Sequence, residues 1–229
     1  MESKAAKDGA QISLRQVAYR RFKEALFSGR IKPGDFLSQR EIVELLGVPL
    51  GPVREALKSL ESEGIATLLP KRGIRIIRIE KEDFAKAIEA RKLIEGEAAA
   101  QFAARGPDDA IADLESQTME FKEKFGATDR HDDAIFREKN RVDFLLHDTM
   151  MAFLDNTILS HAFQLATEHV RIFRLNIFAN DRVFELPAIE EHLAIIEALK
   201  DRDPKAARAA LEAHLDGVFR RAIPIYGTS

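Results

Sequence analysis

Four residues have the types and spacing to hold a metal ion. Asp143 and His147, in "VDFLLHDTM", stand four apart and so share one helix face, while His192 in "IEEHLAIIEAL" and His214 in "LEAHLDG" belong to two later helical stretches. Three imidazoles and a carboxylate can hold a divalent cation inside a helical bundle and leave coordination positions for water or a ligand carboxylate. The spacing leaves a plainer reading open. D-x-x-x-H pairs arise often on helices, and a single histidine such as His192 or His214 is more often an interior or boundary residue than a ligand. No cysteine occurs, so thiolate sites and disulfides are excluded and a reducing cytoplasm fits.

These residues need helices to position them. From Glu82 onward the chain reads as six helices, over 82–105, 107–125, 132–154, 157–178, 186–200 and 204–222, with no strand pattern between them. Gly106-Pro107 ends one helix and begins another, and "DRDPKAARAALEAHL" starts the last with Asp203 as cap and Pro204 in the first turn. The expectation is an all-α bundle over residues 80–229.

The first part of the chain differs in charge. Residues 1–79 carry 15 Lys+Arg against 9 Asp+Glu, a net of +6, and residues 80–229 carry 20 against 29, a net of −9. A basic segment attracts phosphates and an acidic one does not, so a nucleic-acid module over residues 10–79 is expected, joined to something with another task. All six histidines fall in the acidic part.

Within the basic part, Leu14, Ala18, Phe22, Ala25 and Leu26 share one face of a helix from Ser13 to Phe27, with Gly29 placed to end it. "IKPGDFL" reads as a turn. Ser38-Gln39-Arg40-Glu41 is a capping box that opens a helix running to Gly47. A third helix carries Val53, Ala56, Leu57 and Leu60 on one face and turns Arg54, Glu55 and Lys58 away, with Gly51 as a weak cap and Pro52 in the first turn. Two short helices with a tight connection make a helix-turn-helix. "IATLLPKRGIRIIRI" then reads as a hairpin with a basic tip around Pro70-Lys71-Arg72-Gly73, which completes a winged form. The predicted fold class is therefore mainly α, a winged helix-turn-helix followed by a six-helix bundle.

The run "SGRIKPGDFLSQREIVELLGVPLGPVREALKSLESEGIATLLPKRGIRI" resembles the DNA-binding domain of GntR-type bacterial transcriptional regulators over about fifty residues. That resemblance implies operator contacts by Arg40 and Arg54, with Lys58 exposed on the same helix, and a minor-groove approach by Arg72 and Gly73. The chemistry suits these roles, since Arg can donate two hydrogen bonds to guanine O6 and N7 and Gly lets backbone come close to the duplex. Pro49-Leu50-Gly51 departs from the family's usual Ser-Arg-Thr, so one cap hydroxyl and one arginine are missing and Leu50 can offer only an apolar contact.

Residues 82–222 resemble the FCD ligand-binding domain through "EARKLIEGEAA", "DFLLH", "EEHLAIIEAL" and "AHL". The resemblance implies that Asp143, His147, His192 and His214 bind a divalent metal, zinc or nickel, at the floor of an effector pocket. Six helices rather than seven resembles the VanR-like branch. It also places Arg91 in the pocket, where its fork could pair with an effector carboxylate. Glu95 shares that helix face, and the plainer alternative is an Arg91–Glu95 helix pair worth about 0.3–0.5 kcal/mol. Arg171 and Arg174 are further candidates for the effector; periodicity does not say which faces inward. His131, His161 and His169 match no motif and read as surface or packing residues.

The implied function is a ligand-responsive transcription factor, a repressor that leaves a palindromic double-stranded operator when a small organic acid binds beside the metal. It would be a cytoplasmic homodimer with no membrane segment, and not an enzyme. The competing reading is a metal-dependent hydrolase or lyase, against which stand the absence of H-E-x-x-H and of a general base beside the ligands.

Overall fold

The structure is a computed structural model that describes residues 13–127, 133–177 and 185–226. The chain folds as two compact units, with the division between Arg78 and Ile79.

The first unit has the element order α1 (Leu14–Phe27), β1 (Phe36–Ser38), α2 (Gln39–Leu46), α3 (Leu50–Ser62), β2 (Ala66–Leu69) and β3 (Gly73–Ile76). Ser13 caps α1 in a capping box with Gln16, and Ser38 caps α2 in the box read from the sequence, with Glu41 at the third helical position. Gly47 ends α2 in the left-handed conformation (φ 58°) that a residue without Cβ adopts most easily. The buried faces of α1 (Ala18, Phe22, Ala25, Leu26) and α3 (Val53, Ala56, Leu57, Leu60) meet in the core, β2 packs against α3, and Ile74 and Ile76 of β3 are buried as well. Leu14, expected on the buried face, is the first residue of α1 and is 53% exposed.

Two sequence expectations need correction. "IKPGDFL" is more than a turn: Phe36–Ser38 forms an antiparallel pair with β3, with Phe36 opposite Arg75 and Ser38 opposite Gly73, giving a three-stranded sheet of order β1-β3-β2. The other correction concerns the start of α3, whose cap is Pro49 rather than Gly51. Pro49 lies in the extended region natural to proline (φ −57°, ψ 152°), and its carbonyl accepts the first helical bond from Val53 N at 3.2 Å. Pro52 still falls in the first turn, where a missing N–H leaves no broken bond.

The second unit is all-α: α4 (Lys81–Arg105), α5 (Asp108–Ala127), α6 (Asp133–Phe153), α7 (Thr157–Ile177), α8 (Glu185–Lys200) and α9 (Pro204–Tyr226). The bundle expected over the acidic part is thus present with six helices among the described residues. α4 is its central member and packs against α6, α7, α8 and α9. Phe84 of α4 stacks on Phe173 of α7 (centroids 4.1 Å apart) and lies near Phe219 of α9, which fixes one end of the unit; Phe102 meets Phe153 edge to face at the other. Between these aromatic layers α4 buries Arg91 and Glu95, on the same face as Phe84, Ile88, Ala98 and Phe102. Two charges inside a core must be paired or they are prohibitive. They mark the functional region.

Candidate functional site

His147 on α6, His192 on α8 and His214 on α9 meet inside the second unit, all buried, with one ligand nitrogen from each lying within 4.8 Å of the others. His192 Nε2 and His214 Nε2 are 3.3 Å apart. Asp143, one turn before His147, reaches the edge of this cluster: its Oδ1 is 3.8 Å from His192 Nε2, and its Oδ2 accepts from Arg174 Nη1 at 3.4 Å. Burial pushes the His192 imidazolium well below its ordinary pKa, and the neighbouring His214 adds to the effect. Burial lowers His214 also, although Glu191 opposes it. Three buried imidazoles with a carboxylate at their edge are a donor set that fits a divalent cation.

Behind the histidines stand two carboxylates. Glu95 accepts from Arg91 Nε at 2.5 Å and Nη2 at 3.2 Å, and a third hydrogen bond joins it to His147 Nδ1. Burial alone would raise the Glu95 carboxyl, but Arg91 and His147 outweigh it and hold the group down to about 2. Glu191 of α8 accepts from His214 Nδ1 at 2.9 Å and is gripped by Arg221 of α9 through bonds of 2.6 and 2.7 Å. Here too burial opposes and the Arg221 and His214 hydrogen bonds prevail, so Glu191 is also held down to about 2.

A cavity opens on the cluster, lined among others by Arg91, Asp143, His147, Arg174, His214 and Arg221. The structure thus places Arg91 and Arg174 at the cavity. Arg171 is not among its lining residues; it donates to Glu168 at 3.2 Å and lies over the Phe144 ring at 4.7 Å. Glu95 is not among the lining residues but bonds to two of them, Arg91 and His147. The Arg91–Glu95 pair is no exposed helix pair, since the side chains are only 4% and 0% exposed. His161 is exposed, His169 is half-buried with its pKa lowered by burial, and His131 lies outside the described residues.

Sequence reading missed Glu191 and Arg221. Glu191 adjoins His192, and in "IEEHL" it looks like an ordinary solvated helix charge; Arg221 follows His214 by seven residues, which puts it on the same face of α9, and that spacing was the available signal.

In the first unit the four cations proposed for DNA, Arg40, Arg54, Lys58 and Arg72, are exposed at the surface. Arg40 pairs with Glu44 one turn on (2.8 Å), Lys58 with Glu55 (2.8 Å), and Arg54 of α3 donates twice to Gln39 Oε1 of α2 (3.2 and 3.0 Å). Arg72, in the turn between β2 and β3, lies over the Phe36 ring at 5.9 Å. Leu50 is 38% exposed at the first position of α3. Gly73 is placed differently from its neighbours. It is buried, its φ is +148°, and a Cβ there would overlap the Leu37 carbonyl and come within 2.8 Å of Ser38 Cα. The close β1–β3 pairing accounts for this glycine without any duplex.

A winged helix-turn-helix joined in one chain to an all-α unit with a buried histidine cluster is an architecture that suits a DNA-binding transcriptional regulator. Residues 14–76 match the bacterial regulatory proteins of the gntR family, and residues 86–217 match the FCD domain. The chain belongs to the GntR family of regulators that carry an FCD domain. It is 24% identical over 198 residues to the HTH-type transcriptional regulator YdhC of Bacillus subtilis, covering 86% of each chain. It is 25% identical over 187 residues to the probable D-xylose utilization operon transcriptional repressor of Paenarthrobacter nicotinovorans, covering 82% of this chain and 79% of that one. Among solved structures, Escherichia coli McbR/YncC superposes with a TM-score of 0.72 at 20% identity, over 95% of this chain and 99% of that one, a likeness of fold. These relatives are regulators and not enzymes, so the hydrolase or lyase reading has no support from them. Among the described residues no helix is long and apolar enough to cross a membrane.

Proposed function

We propose that the chain is a cytoplasmic, homodimeric repressor that binds a palindromic operator and leaves it when a small organic acid enters the cavity of the second unit beside a divalent metal. The observation that carries this reading is the convergence of three buried histidines from α6, α8 and α9, two of which, His147 and His214, line a cavity that Arg91, Arg174 and Arg221 also line. His147, His192 and His214 would hold the metal, with Asp143 as the fourth protein group. A bound zinc or nickel ion would supply positive charge and open coordination positions for a ligand carboxylate.

The chain's own side chains orient the anion. Arginine forks recognise carboxylates through two parallel hydrogen bonds, and three of them around one cavity suit a di- or tricarboxylate. On the DNA side, Arg54 and Lys58 of α3, Arg40 of α2, and Arg72 at the wing supply cations for bases and phosphates; Gly73 serves by letting the wing close on β1. For the anion to act as an inducer it must bind the DNA-incompetent state more tightly than the competent one.

Selection from a random duplex pool, followed by fluorescence anisotropy on the enriched sequence, tests the reading. A palindromic site is expected, bound by the zinc-loaded protein and released by a panel of di- and tricarboxylates. Retention of the duplex across that panel would refute release by a carboxylate, and elemental analysis of untagged protein showing only a small fraction of an ion per chain would refute the metal.

A further inference from the structure

Two of the three clustered histidines are the ends of three-residue chains with the same chemistry on different helices. In one, Arg91 and Glu95 lie a turn apart on α4 and both are buried; Arg91 donates twice to Glu95, and Glu95 bonds to Nδ1 of His147 on α6. In the other, Arg221 of α9 donates twice to Glu191 of α8, and Glu191 bonds at 2.9 Å to Nδ1 of His214, two turns back on α9. The helices contributed differ, yet the order is arginine, carboxylate, Nδ1 each time.

The consequence is a choice of tautomer. An ionised carboxylate only accepts hydrogen bonds, so the imidazole nitrogen facing it must carry the hydrogen, and the lone pair of a neutral ring is then left on Nε2. In His214 this nitrogen lies 3.3 Å from His192 Nε2, inside the cluster. The second chain is closed over a residue with no side chain: a Cβ on Gly217 would stand 2.5 Å from Glu191 Oε1 and 2.8 Å from Arg221 Nη1.

We propose that Glu95 and Glu191 are positioning residues that lock His147 and His214 as Nδ1–H tautomers with Nε2 offered to a shared cation, and that Arg91 and Arg221 serve this by gripping the two carboxylates. The inference rests on the metal reading above and adds residues to it. Partners of this kind raise ligand basicity and restrict ring rotation, and their loss costs about 10–100-fold in metal affinity.

Long-range 1H–15N correlation spectra of the metal-free full chain read the tautomers directly, with His147→Asn and His214→Asn variants to assign them. Wild type should show the Nδ1–H tautomer at both positions. Glu191→Ala should move His214 toward a mixture, and Glu191→Gln should restore the Nδ1–H form, because the amide oxygen still accepts. Competition for zinc chloride against a chromophoric chelator should show Glu95→Ala and Glu191→Ala weakened by about 10–100-fold, with Glu191→Gln between them and wild type. If loss of the buried Glu95 charge prevents folding, the two Glu191 variants decide, since that side chain is 25% exposed. A dominant Nε2–H tautomer in wild type, or equal zinc affinity in wild type and the Glu191 variants, overturns the proposal. Failure of wild type to take up zinc overturns the metal reading instead, while the spectra still judge the tautomers.

Discussion

Removing the Arg91 guanidinium should be one of the most damaging single changes in the second unit. Arg91 and Glu95 are 3% and 0% exposed, and Glu95 is ionised only because Arg91 and His147 are beside it. Arg91→Ala leaves a carboxylate inside the bundle with one partner in place of two. Breaking a buried pair in this way costs about 3–5 kcal/mol, against about 0.3–0.5 for an exposed helix pair. For a unit of this size each kcal/mol moves the melting temperature by about 2–4 °C, so a fall of about 6–20 °C follows. The double variant Arg91→Met, Glu95→Leu removes both charges and fills the space with apolar atoms, which alone can be neutral. It also leaves His147 Nδ1 without its acceptor, at about 1–3 kcal/mol, so recovery should be partial. Urea denaturation of wild type, the single and the double variant measures all three. A loss under about 1 kcal/mol for Arg91→Ala would show that the pair behaves as a solvated one and would refute the reasoning.

In the first unit, Arg54→Ala should weaken operator binding by about 1–3 kcal/mol at fixed salt and leave metal content unchanged; anisotropy titration with equal affinities would remove Arg54 from the interface. Gly73→Ala should destabilise that unit by at least about 1–3 kcal/mol, because the added methyl meets the β1 backbone, and denaturation with an unaltered midpoint would count against the pairing described. The buried histidines predict a pH effect in metal-free protein. His192 and His214 have folded pKa values below the ordinary 6.5, so the unfolded chain binds more protons than the folded one once the pH drops below that value. Stability should therefore be full above about pH 6.5 and decline below it, and a melting temperature that is flat or rising from pH 7 to 5 would contradict their neutral burial.

How far the architecture could be read beforehand depended on whether a signal was local. Helix boundaries were, because the Ser38–Glu41 box, Gly47, Gly106-Pro107 and Asp203-Pro204 act on backbone groups within a turn of themselves. Strand β1 was not: three residues are too few to show alternation, Phe36 on it is exposed, and only the partner β3 defines it. The cap of α3 was misplaced for a related reason, since Gly51 offers a plausible cap chemically and only the extended Pro49 shows where the helix begins. At the site, Arg91 and Glu95 stood visibly on the periodic face of α4 that otherwise carries Phe84, Ile88, Ala98 and Phe102. A charge at such a position is buried and partnered, but the partner His147 is fifty-two residues away and no local pattern names it. Glu191 and Arg221 come from different helices, and only their packing joins them.

The arginines lining the cavity are each tied to a carboxylate: Arg91 to Glu95, Arg174 to Asp143 and Arg221 to Glu191. Long side chains that must be immobilised when a ligand arrives subtract about 0.5–1.5 kcal/mol apiece from its affinity. Here the tethers hold those rotamers at the folding stage, so the recognition surface is shaped in advance and an incoming anion meets a fixed mould instead of ordering a loose one.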